Sequence, residues 1–248
     1  MTLRPIPLLR AVPPVGALLL SLTLAITAFA PAIAPPAEAR EAEKDLRVLA
    51  EGHGRFSILA SLSAGSKRGS AYFGDPGDQP LYGVWDCNGA ASPGVYRNGQ
   101  VFLTISETGG PTHASFFFGS PGDVALAGDF NGDGCSTVAV YRPGSSAFFV
   151  RNSLTSGPAE RVVVFGNPGD EPFVGDFDGD GKDTFGVYRW GGRVYLSNSI
   201  KSPTTAASFR FGNPGDRPVA GDWDGDGRDS VAVYRSSTGR VYFHGSGN

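Results

Sequence analysis

One phrase recurs four times along this chain at nearly constant spacing. The copies begin at Phe73, Phe118, Phe165 and Phe211, which gives repeat lengths of 45, 47 and 46 residues. They read FGDPGDQPLYGVWDCNG, FGSPGDVALAGDFNGDG, FGNPGDEPFVGDFDGDG and FGNPGDRPVAGDWDGDG. A fixed period of this size indicates one supersecondary unit used repeatedly, with each copy burying its apolar face on its neighbours.

Each copy contains the pattern of four short strands. In the last copy we predict strands at Pro218–Trp223, Ser230–Arg235 and Arg240–Ser246, with Ala207–Phe211 as the fourth strand of the preceding copy. The 36 glycines and 19 prolines argue against long helices and favour strands joined by tight turns. Four antiparallel strands in about 46 residues are typical of a propeller blade. We therefore predict an all-β fold, a β-propeller of four-stranded antiparallel blades.

The number of blades depends on how the two ends of the chain are used. The first-strand pattern occurs four times, and the third-strand pattern occurs five times, at Phe56, Val101, Phe148, Val194 and Val241. We predict four blades that close into a ring when an N-terminal strand completes the last blade. Residues 56–63 and 241–246 then compete for one position. Either one of them is a fifth, outermost strand, or this chain alone does not close the ring.

The first 39 residues have the features of an export signal. Arg4 and Arg10 form a positive region, Val15–Ala30 is apolar, and Ala37-Glu38-Ala39 is a small-x-small cleavage site. The apolar run has 16 residues, which is short for a membrane span. We therefore predict cleavage, and a secreted or cell-surface protein with no membrane span in the mature chain. An uncleaved signal anchor is the alternative.

Three segments follow along the chain. We predict a signal peptide over residues 1–39, a short helical or linker segment over 40–54, and the propeller over 55–248. Within the second segment, the charged stretch REAEKDLRVLAE at 40–51 predicts a short helix that ends at Gly52.

Two cysteines remain after the export signal, Cys87 and Cys135. An even number of cysteines in an oxidising compartment favours a disulfide. Both cysteines lie in the same loop of consecutive copies, and neighbouring blades place equivalent loops side by side. We predict a disulfide across this seam, with two separate buried thiols as the alternative.

Three copies carry the pattern D-x-[DN]-x-D-G, whose oxygen atoms suit a hard cation. Calcium prefers carboxylates at positions 1, 3 and 5 of a tight loop, glycine at position 6 and a backbone carbonyl at position 7. The candidate side-chain ligands are Asp129, Asn131 and Asp133; Asp176, Asp178 and Asp180; and Asp222, Asp224 and Asp226. The candidate carbonyls belong to Cys135, Lys182 and Arg228. The alternative is a set of polar Asp-Gly turns without an ion.

These loops differ from an EF-hand, and the first copy differs from the other three. Position 12, where an EF-hand needs glutamate, holds Val140, Val187 and Val233. The first copy lacks the opening aspartate, because Val84 stands there, and Asp86 alone with Asn88 makes a weak site. We therefore predict about three Ca²⁺ sites, one in each of the last three copies.

The combination of Phe-Gly, a GDFDGDG or GDWDGDG loop and VAVYR resembles the FG-GAP and VCBS repeat family, whose propellers are related to the integrin α head. The resemblance implies calcium between the first and second strands of a blade, on one rim. The family has aspartate at position 9, where this chain has Thr137, Thr184 and Ser230. Asp183 and Asp229 stand one place earlier. The last ligand is thus a hydroxyl, the displaced carboxylate or water.

Two further sets of residues recur in every copy. The aromatic residues inside the loops either stack on sugars or pack between blades, and we favour packing: Trp85, Phe130, Phe177 and Trp223. The arginines that follow the second strand either bind an anion or form salt bridges, and we favour salt bridges, individually weak, to the turn aspartates. These arginines are Arg97, Arg142, Arg189 and Arg235, and the aspartates are Asp78, Asp123, Asp170 and Asp216.

Catalysis and nucleic-acid binding have little support in the sequence. No G-x-S-x-G or H-E-x-x-H motif occurs, and the net charge is −3 without a basic stripe. We predict a non-catalytic calcium-binding module that binds an extracellular protein or glycan and no nucleic acid. The alternatives are a lectin-like carbohydrate-binding propeller, an accessory domain of a cell-surface hydrolase, and a structural domain of a longer surface protein.

Overall fold

The computed structural model describes residues 18–20, 48–51, 55–59 and 67–244. Within these residues the regular elements are nineteen β-strands, and no helix there has the length and apolar character needed to cross a membrane. The strands form five antiparallel sheets.

Four of the sheets have four strands each, in simple up-and-down order. The first contains β1 (Leu18–Leu20), β2 (Val48–Glu51), β3 (Arg55–Leu59) and β4 (Lys67–Tyr72). The second contains β5 (Gln79–Gly83), β6 (Ser92–Arg97), β7 (Gln100–Leu103) and β8 (Ala114–Phe117). The third contains β9 (Val124–Gly128), β10 (Thr137–Arg142), β11 (Ala147–Arg151) and β12 (Arg161–Val164). The fourth contains β13 (Glu171–Gly175), β14 (Thr184–Arg189), β15 (Arg193–Leu196) and β16 (Ala207–Arg210).

The fifth sheet has three strands among the described residues: β17 (Arg217–Gly221), β18 (Ser230–Arg235) and β19 (Arg240–Phe243). The first strand of each sheet contacts the first strand of the next, so β1, β5, β9, β13 and β17 lie side by side on the inside. This arrangement is a β-propeller, and the predicted all-β fold with four-stranded antiparallel blades is confirmed.

The repeated sequence produces the same register in each repeat. In the four sheets that begin with β5, β9, β13 and β17, the first strand ends at a glycine that pairs with the first residue of the second strand: Gly83 with Ser92, Gly128 with Thr137, Gly175 with Thr184 and Gly221 with Ser230. Because the register is the same, each copy places its eight-residue connecting loop at the same end of its sheet.

The two ends of the chain differ from the prediction. Phe56 lies in β3, the third strand of the first sheet, whereas Val241 lies in β19, the third strand of the fifth sheet. The two segments therefore do not compete for one position, and the expectation that they share a blade was wrong. Residues 60–63 and 245–246 lie outside the described residues.

The predicted helix over 40–51 is wrong in its last four residues, which form β2 and pair with β3. Strand pairing on both sides of Val48–Glu51 outweighs the local charge pattern that favoured a helix. Residues 40–47 lie outside the described residues. So does most of the predicted signal peptide, of which the structure describes β1, paired with β2. The export signal stays a prediction.

The core lies at the seams between neighbouring sheets. In one seam Phe130, Tyr141 and Phe148 pack against Phe185 and Val187 of the next sheet. Equivalent clusters occupy the seams on either side, and the loop aromatics take part in them. Trp85 and Phe130 are buried there, while Phe177 and Trp223 pack at the edge of their clusters. Packing between blades is confirmed for Trp85, Phe130 and Phe177, whereas Trp223 packs on residues of its own sheet.

Candidate metal-binding rim

The acidic loops all lie at one end of the propeller. They connect the first and second strands of consecutive sheets and span residues 84–91, 129–136, 176–183 and 222–229. We call this end the loop rim and refer to the four segments as loops 1 to 4. The residues of each loop are numbered 1 to 8 from Val84, Asp129, Asp176 and Asp222.

Loops 3 and 4 bring three carboxylates together. One oxygen from each of Asp176, Asp178 and Asp180 lies within 4.8 Å of the others, and the same holds for the three aspartates of loop 4, Asp222, Asp224 and Asp226. Such a set of hard oxygen donors fits calcium. In loop 2 the position-3 residue is Asn131, whose amide donates to Asp133 Oδ2 at 2.8 Å. Its amide oxygen can serve as a ligand in place of a carboxylate oxygen.

The opening aspartate shapes each loop. Asp176 Oδ1 accepts from the N–H groups of Gly179 (2.8 Å) and Asp180 (3.1 Å), and Oδ2 accepts from Gly181 N (2.8 Å). Asp129 and Asp222 make the equivalent bonds. Gly179 and Gly181 have φ of 75° and 80°, a left-handed conformation that glycine adopts most readily. The aspartate-glycine alternation thus builds a tight turn around the first carboxylate.

Contacts within loop 3 also moderate its negative charge. Lys182 Nζ lies 3.0 Å from Asp180 Oδ2, a contact that raises the pKa of the lysine. Burial raises the pKa of Asp176, and the N–H donors of the loop oppose that rise. The mutual repulsion of the three clustered carboxylates is therefore partly relieved by the chain itself.

Position 7 of each loop lies over position 4 of the preceding loop. The Lys182 side chain covers Gly132, and the Arg228 side chain covers Gly179. At the first seam the same two positions hold Cys135 and Cys87, which form a disulfide with a Cα–Cα distance of 4.7 Å. The predicted disulfide is confirmed, and the alternative of two separate thiols was wrong.

Position 9 lies at the start of the second strand. The Thr137 hydroxyl donates to the Gly128 carbonyl (3.4 Å), and the buried Thr184 hydroxyl lies within hydrogen-bonding distance of the carbonyls of Gly175 (3.3 Å) and Ser197 (2.7 Å). These hydroxyl groups thus bond to carbonyls at the ends of the neighbouring strands. Ser230 occupies the equivalent position in β18.

Position 8 connects neighbouring loops, a role that the sequence interpretation missed. Asp183 Oδ2 accepts from Asp129 N at 2.6 Å, and Asp183 N donates to Asp129 O at 2.8 Å. Asp229 grips Asp176 in the same way, at 2.9 Å and 2.7 Å. At the first seam the Ser136 hydroxyl oxygen accepts from Val84 N at 3.0 Å, and Ser136 N donates to Val84 O at 2.8 Å. We call Ser136, Asp183 and Asp229 the clasp residues.

The glycine that ends each first strand makes room for the clasp. A Cβ at Gly175 would lie 2.7 Å from Asp229 Oδ2, and one at Gly83 would lie 2.7 Å from Ser136 Cβ. Glycine before position 1, combined with aspartate or serine at position 8, is thus the sequence signal that could have revealed the clasp.

A cavity of about 80 Å³ opens at the inner side of the loop rim. The ends of the inner strands line it together with five aspartates: Asp129, Asp176, Asp183, Asp222 and Asp229. The cavity thus lies beside the acidic loops.

The opposite rim, formed by the F-G-x-P-G-D turns, carries the recurring arginines. Each arginine forms two parallel hydrogen bonds with its turn aspartate, as in Arg97 Nε to Asp78 Oδ1 (2.6 Å) and Nη2 to Oδ2 (2.7 Å). The same pairs join Arg142 to Asp123, Arg189 to Asp170 and Arg235 to Asp216. Each guanidinium also lies over an aromatic ring of the third strand. The salt-bridge interpretation is confirmed.

These pairs differ from the weak surface pairs that the sequence argument assumed. The side chain of Asp78 is 4% exposed, and it also accepts from Asp75 N at 2.8 Å. The second-strand tyrosine connects neighbouring turns on the same rim, since the Tyr96 hydroxyl donates to Ser120 O of the next turn at 2.9 Å. Burial raises the pKa of Tyr96 to about 12. The turn rim thus carries bidentate ion pairs whose aspartates are buried and whose arginines are partly exposed.

The fold and the two rims define a β-propeller with acidic loops on one rim and Arg–Asp pairs on the other. No family model matches the chain, and no curated protein matches its sequence. Membership of the FG-GAP/VCBS family therefore stays a prediction.

Several solved structures are similar to this chain. One is BBS1N in complex with ARL6DN, soaked with mercury, at 10% identity and a TM-score of 0.46, over 94% of this chain and 62% of that chain. The same complex soaked with lead has 11% identity and a TM-score of 0.45, over 94% of this chain and 61% of that chain. An Agrocybe aegerita lectin, described as specifically recognising non-reducing terminal N-acetylglucosamine, has 14% identity and a TM-score of 0.45, over 80% of this chain and 59% of that chain. The chain thus spans about three fifths of the length of each of these proteins.

Proposed function

We propose that this protein is an exported, non-catalytic β-propeller of the FG-GAP/VCBS type that binds calcium at its loop rim and acts as a binding or adhesion module. The observation that carries the calcium proposal is the pair of aspartate triads in loops 3 and 4. In each triad three carboxylate oxygens lie within 4.8 Å of one another. Calcium accepts irregular sets of six to eight oxygen ligands, which suits loops that also offer carbonyls and water.

Each ion would have a defined set of ligands. In loop 3 these are Asp176, Asp178, Asp180 and the carbonyl of Lys182, and loops 2 and 4 offer the corresponding residues. A bound ion supplies positive charge that neutralises the carboxylates and holds the loop in one conformation. Because Lys182 and the loop N–H groups already compensate part of this charge, we expect affinities in the range of extracellular modules, about 10⁻⁴–10⁻³ M.

Calorimetric titration with CaCl₂ tests the calcium proposal. We expect about three ions per chain, and we expect Asp178→Ala and Asp224→Ala each to remove one, because alanine leaves no oxygen donor at position 3. Asp86→Ala is the matched control, since Asp86 holds position 3 of loop 1, where Val84 replaces the opening aspartate. Loss of the same heat in the control, or no binding by the unaltered protein, contradicts the proposal.

The partner surface lies on the turn rim in this proposal. Trp190, in the turn between β14 and β15, is 77% exposed, more than any other large apolar side chain among the described residues. The equivalent positions in the other copies hold Asn98, Pro143 and Ser236. An exposed indole on a rigid turn is typical of a contact with a protein or a glycan.

A lectin-like function is the second candidate, favoured by a groove that Arg189, the neighbour of Trp190, helps to form. The groove is also lined by Tyr195, Pro203, Thr204 and Thr205, and so offers hydroxyl and guanidinium groups that suit a sugar. A glycan array separates the two candidates. Binding to one sugar class that Trp190→Ala abolishes supports the lectin, and an array without signal supports a protein partner.

A further inference from the structure

We infer that the clasp residues couple neighbouring metal loops, so that an ion in one loop raises the affinity of the preceding loop for its own ion. This inference rests on the proposed calcium binding and goes beyond it. Asp183 and Asp229 act here as positioning residues for the sites of loops 2 and 3, and not as ligands of their own loops.

One peptide unit connects each pair of sites. The carbonyl of Lys182 is a candidate ligand of the loop 3 ion, and the N–H of the same peptide unit belongs to Asp183 and donates to Asp129 O at 2.8 Å. The peptide unit between Arg228 and Asp229 links loop 4 to Asp176 O in the same way, at 2.7 Å. Because a peptide unit is planar, fixing its carbonyl also fixes the direction of its N–H.

The clasp carboxylate adds a second bond to the same backbone. Asp229 Oδ2 accepts from Asp176 N at 2.9 Å, so the backbone N–H and carbonyl of the opening ligand are both held from loop 4. Asp176 then offers its side chain to the loop 3 ion from a backbone that the next loop has oriented. The second clasp orients Asp129 of loop 2 from loop 3 in the same way.

Two physical effects give the coupling a positive sign. An ion that binds a carbonyl polarises the peptide unit and strengthens its N–H as a donor. An ion in loop 4 also orders Asp229, so that the loop 3 ion binds a backbone that is already ordered. Energetic coupling between two binding sites is reciprocal, so each ion helps the other. Couplings of this kind are typically about 5-fold or more in affinity.

The chain contains its own comparison for the chemistry of the clasp. Ser136 replaces the carboxylate acceptor with a neutral hydroxyl oxygen and keeps the backbone bond to Val84 O. A serine at position 229 should therefore keep the clasp, whereas an alanine should remove its side-chain acceptor. Asp229→Ser and Asp229→Ala form a matched pair that separates the hydrogen bond from the charge.

Terbium luminescence can report on single sites. Tb³⁺ binds the same oxygen donors as calcium and is sensitised by a nearby indole. Trp223 lies at position 2 of loop 4, so it reports on that site in the unaltered chain. The double substitution Phe177→Trp and Trp223→Phe moves the reporter to loop 3. Titrating this protein with Tb³⁺ measures the affinity of loop 3, and competition with Ca²⁺ gives the calcium affinity of the same site.

The experiment measures the loop 3 affinity with and without a functional loop 4. With the clasp intact, Asp224→Ala should weaken Ca²⁺ binding at loop 3 about 5-fold or more. Asp229→Ala should also weaken it, although the bond from the backbone N–H of position 229 to Asp176 O remains. Adding Asp224→Ala to Asp229→Ala should then have a smaller further effect than Asp224→Ala alone, as a double-mutant cycle requires of coupled groups. Asp229→Ser should keep the coupling, and it replaces the alanine comparison if Asp229→Ala does not fold.

The outcomes separate this inference from the calcium proposal. If the unaltered protein binds neither Tb³⁺ nor Ca²⁺, the proposed function fails. If both ions bind but Asp224→Ala leaves the loop 3 affinity unchanged, calcium binding stands and the coupling is refuted. If Asp229→Ala weakens Ca²⁺ binding at loop 4 and not at loop 3, Asp229 is a ligand of its own loop, and this result also overturns the inference.

Discussion

Arg97 provides a direct test of how much burial strengthens an ion pair, because it contacts two aspartates in different surroundings. Asp78, 4% exposed, accepts from Nε and Nη2 at 2.6 and 2.7 Å. Asp75, 69% exposed, lies 2.6 Å from Nη2. The arginine is the same in both contacts, and its side chain is 40% exposed. The two aspartates thus differ in their access to water and in the number of hydrogen bonds that they accept.

The expected cost of each substitution follows from this difference. Asp78→Asn removes a buried charge and turns one charge-assisted hydrogen bond into a donor facing a donor, a loss of about 1.5–3 kcal/mol. Because water can hydrate the partly exposed guanidinium of Arg97 once the carboxylate is gone, we expect a loss of free energy of unfolding near the middle of this range, about 2 kcal/mol. Asp75→Asn should cost about 0.5 kcal/mol or less, as exposed pairs do.

Urea denaturation followed by linear extrapolation measures both free energies of unfolding. In a thermal melt, a loss of about 2 kcal/mol should lower the Tm of a chain of this size by about 4–8 °C. Equal losses for the two substitutions would refute the claim that burial makes the turn-rim pairs strong. A loss below about 0.5 kcal/mol for Asp78→Asn would refute it as well.

Three further predictions concern other parts of the molecule. Replacing Cys87 and Cys135 by serine should lower the free energy of unfolding by up to about 4 kcal/mol, since the disulfide closes a loop of 48 residues, and urea denaturation measures this loss. Burial against Phe209 lowers the pKa of His244 below its usual 6.5. Because the unfolded chain then takes up the proton first, the free energy of unfolding should fall as the pH drops below about 6.5. This dependence on pH should disappear in His244→Phe, and a dependence that persists contradicts its assignment to His244. N-terminal sequencing of the exported protein should begin at Arg40, and an intact N-terminus would favour the anchor alternative.

Much of the architecture could be predicted from the sequence because the repeat imposes the same register in every copy. A first strand that ends at glycine and an eight-residue acidic loop recur, so the loops had to meet on one rim. Aligning Cys87 and Cys135 within their copies was therefore enough to predict the disulfide. The structure adds the reason that their sulfurs meet, which is that position 7 of a loop lies over position 4 of the preceding one.

The clasp and the strength of the turn-rim pairs could not be predicted in the same way. Asp183 looks like a spare or displaced ligand when its own loop is considered alone, because its partner, Asp129, belongs to the preceding copy. The burial of Asp78 likewise depends on how two turns and a second strand pack together. For strand β2 the sequence prediction was wrong, because pairing with β1 and β3 overrides a local sequence that favours a helix.

A crystal structure determined in the presence of calcium would show whether the loop rim binds the ion. We predict anomalous difference density between the side chains of positions 1, 3 and 5 in loops 2, 3 and 4, with the position-7 carbonyl in contact with each ion. We predict no such density in loop 1. Ordered acidic loops without ions at millimolar calcium would contradict the proposal that this propeller binds calcium at its loop rim.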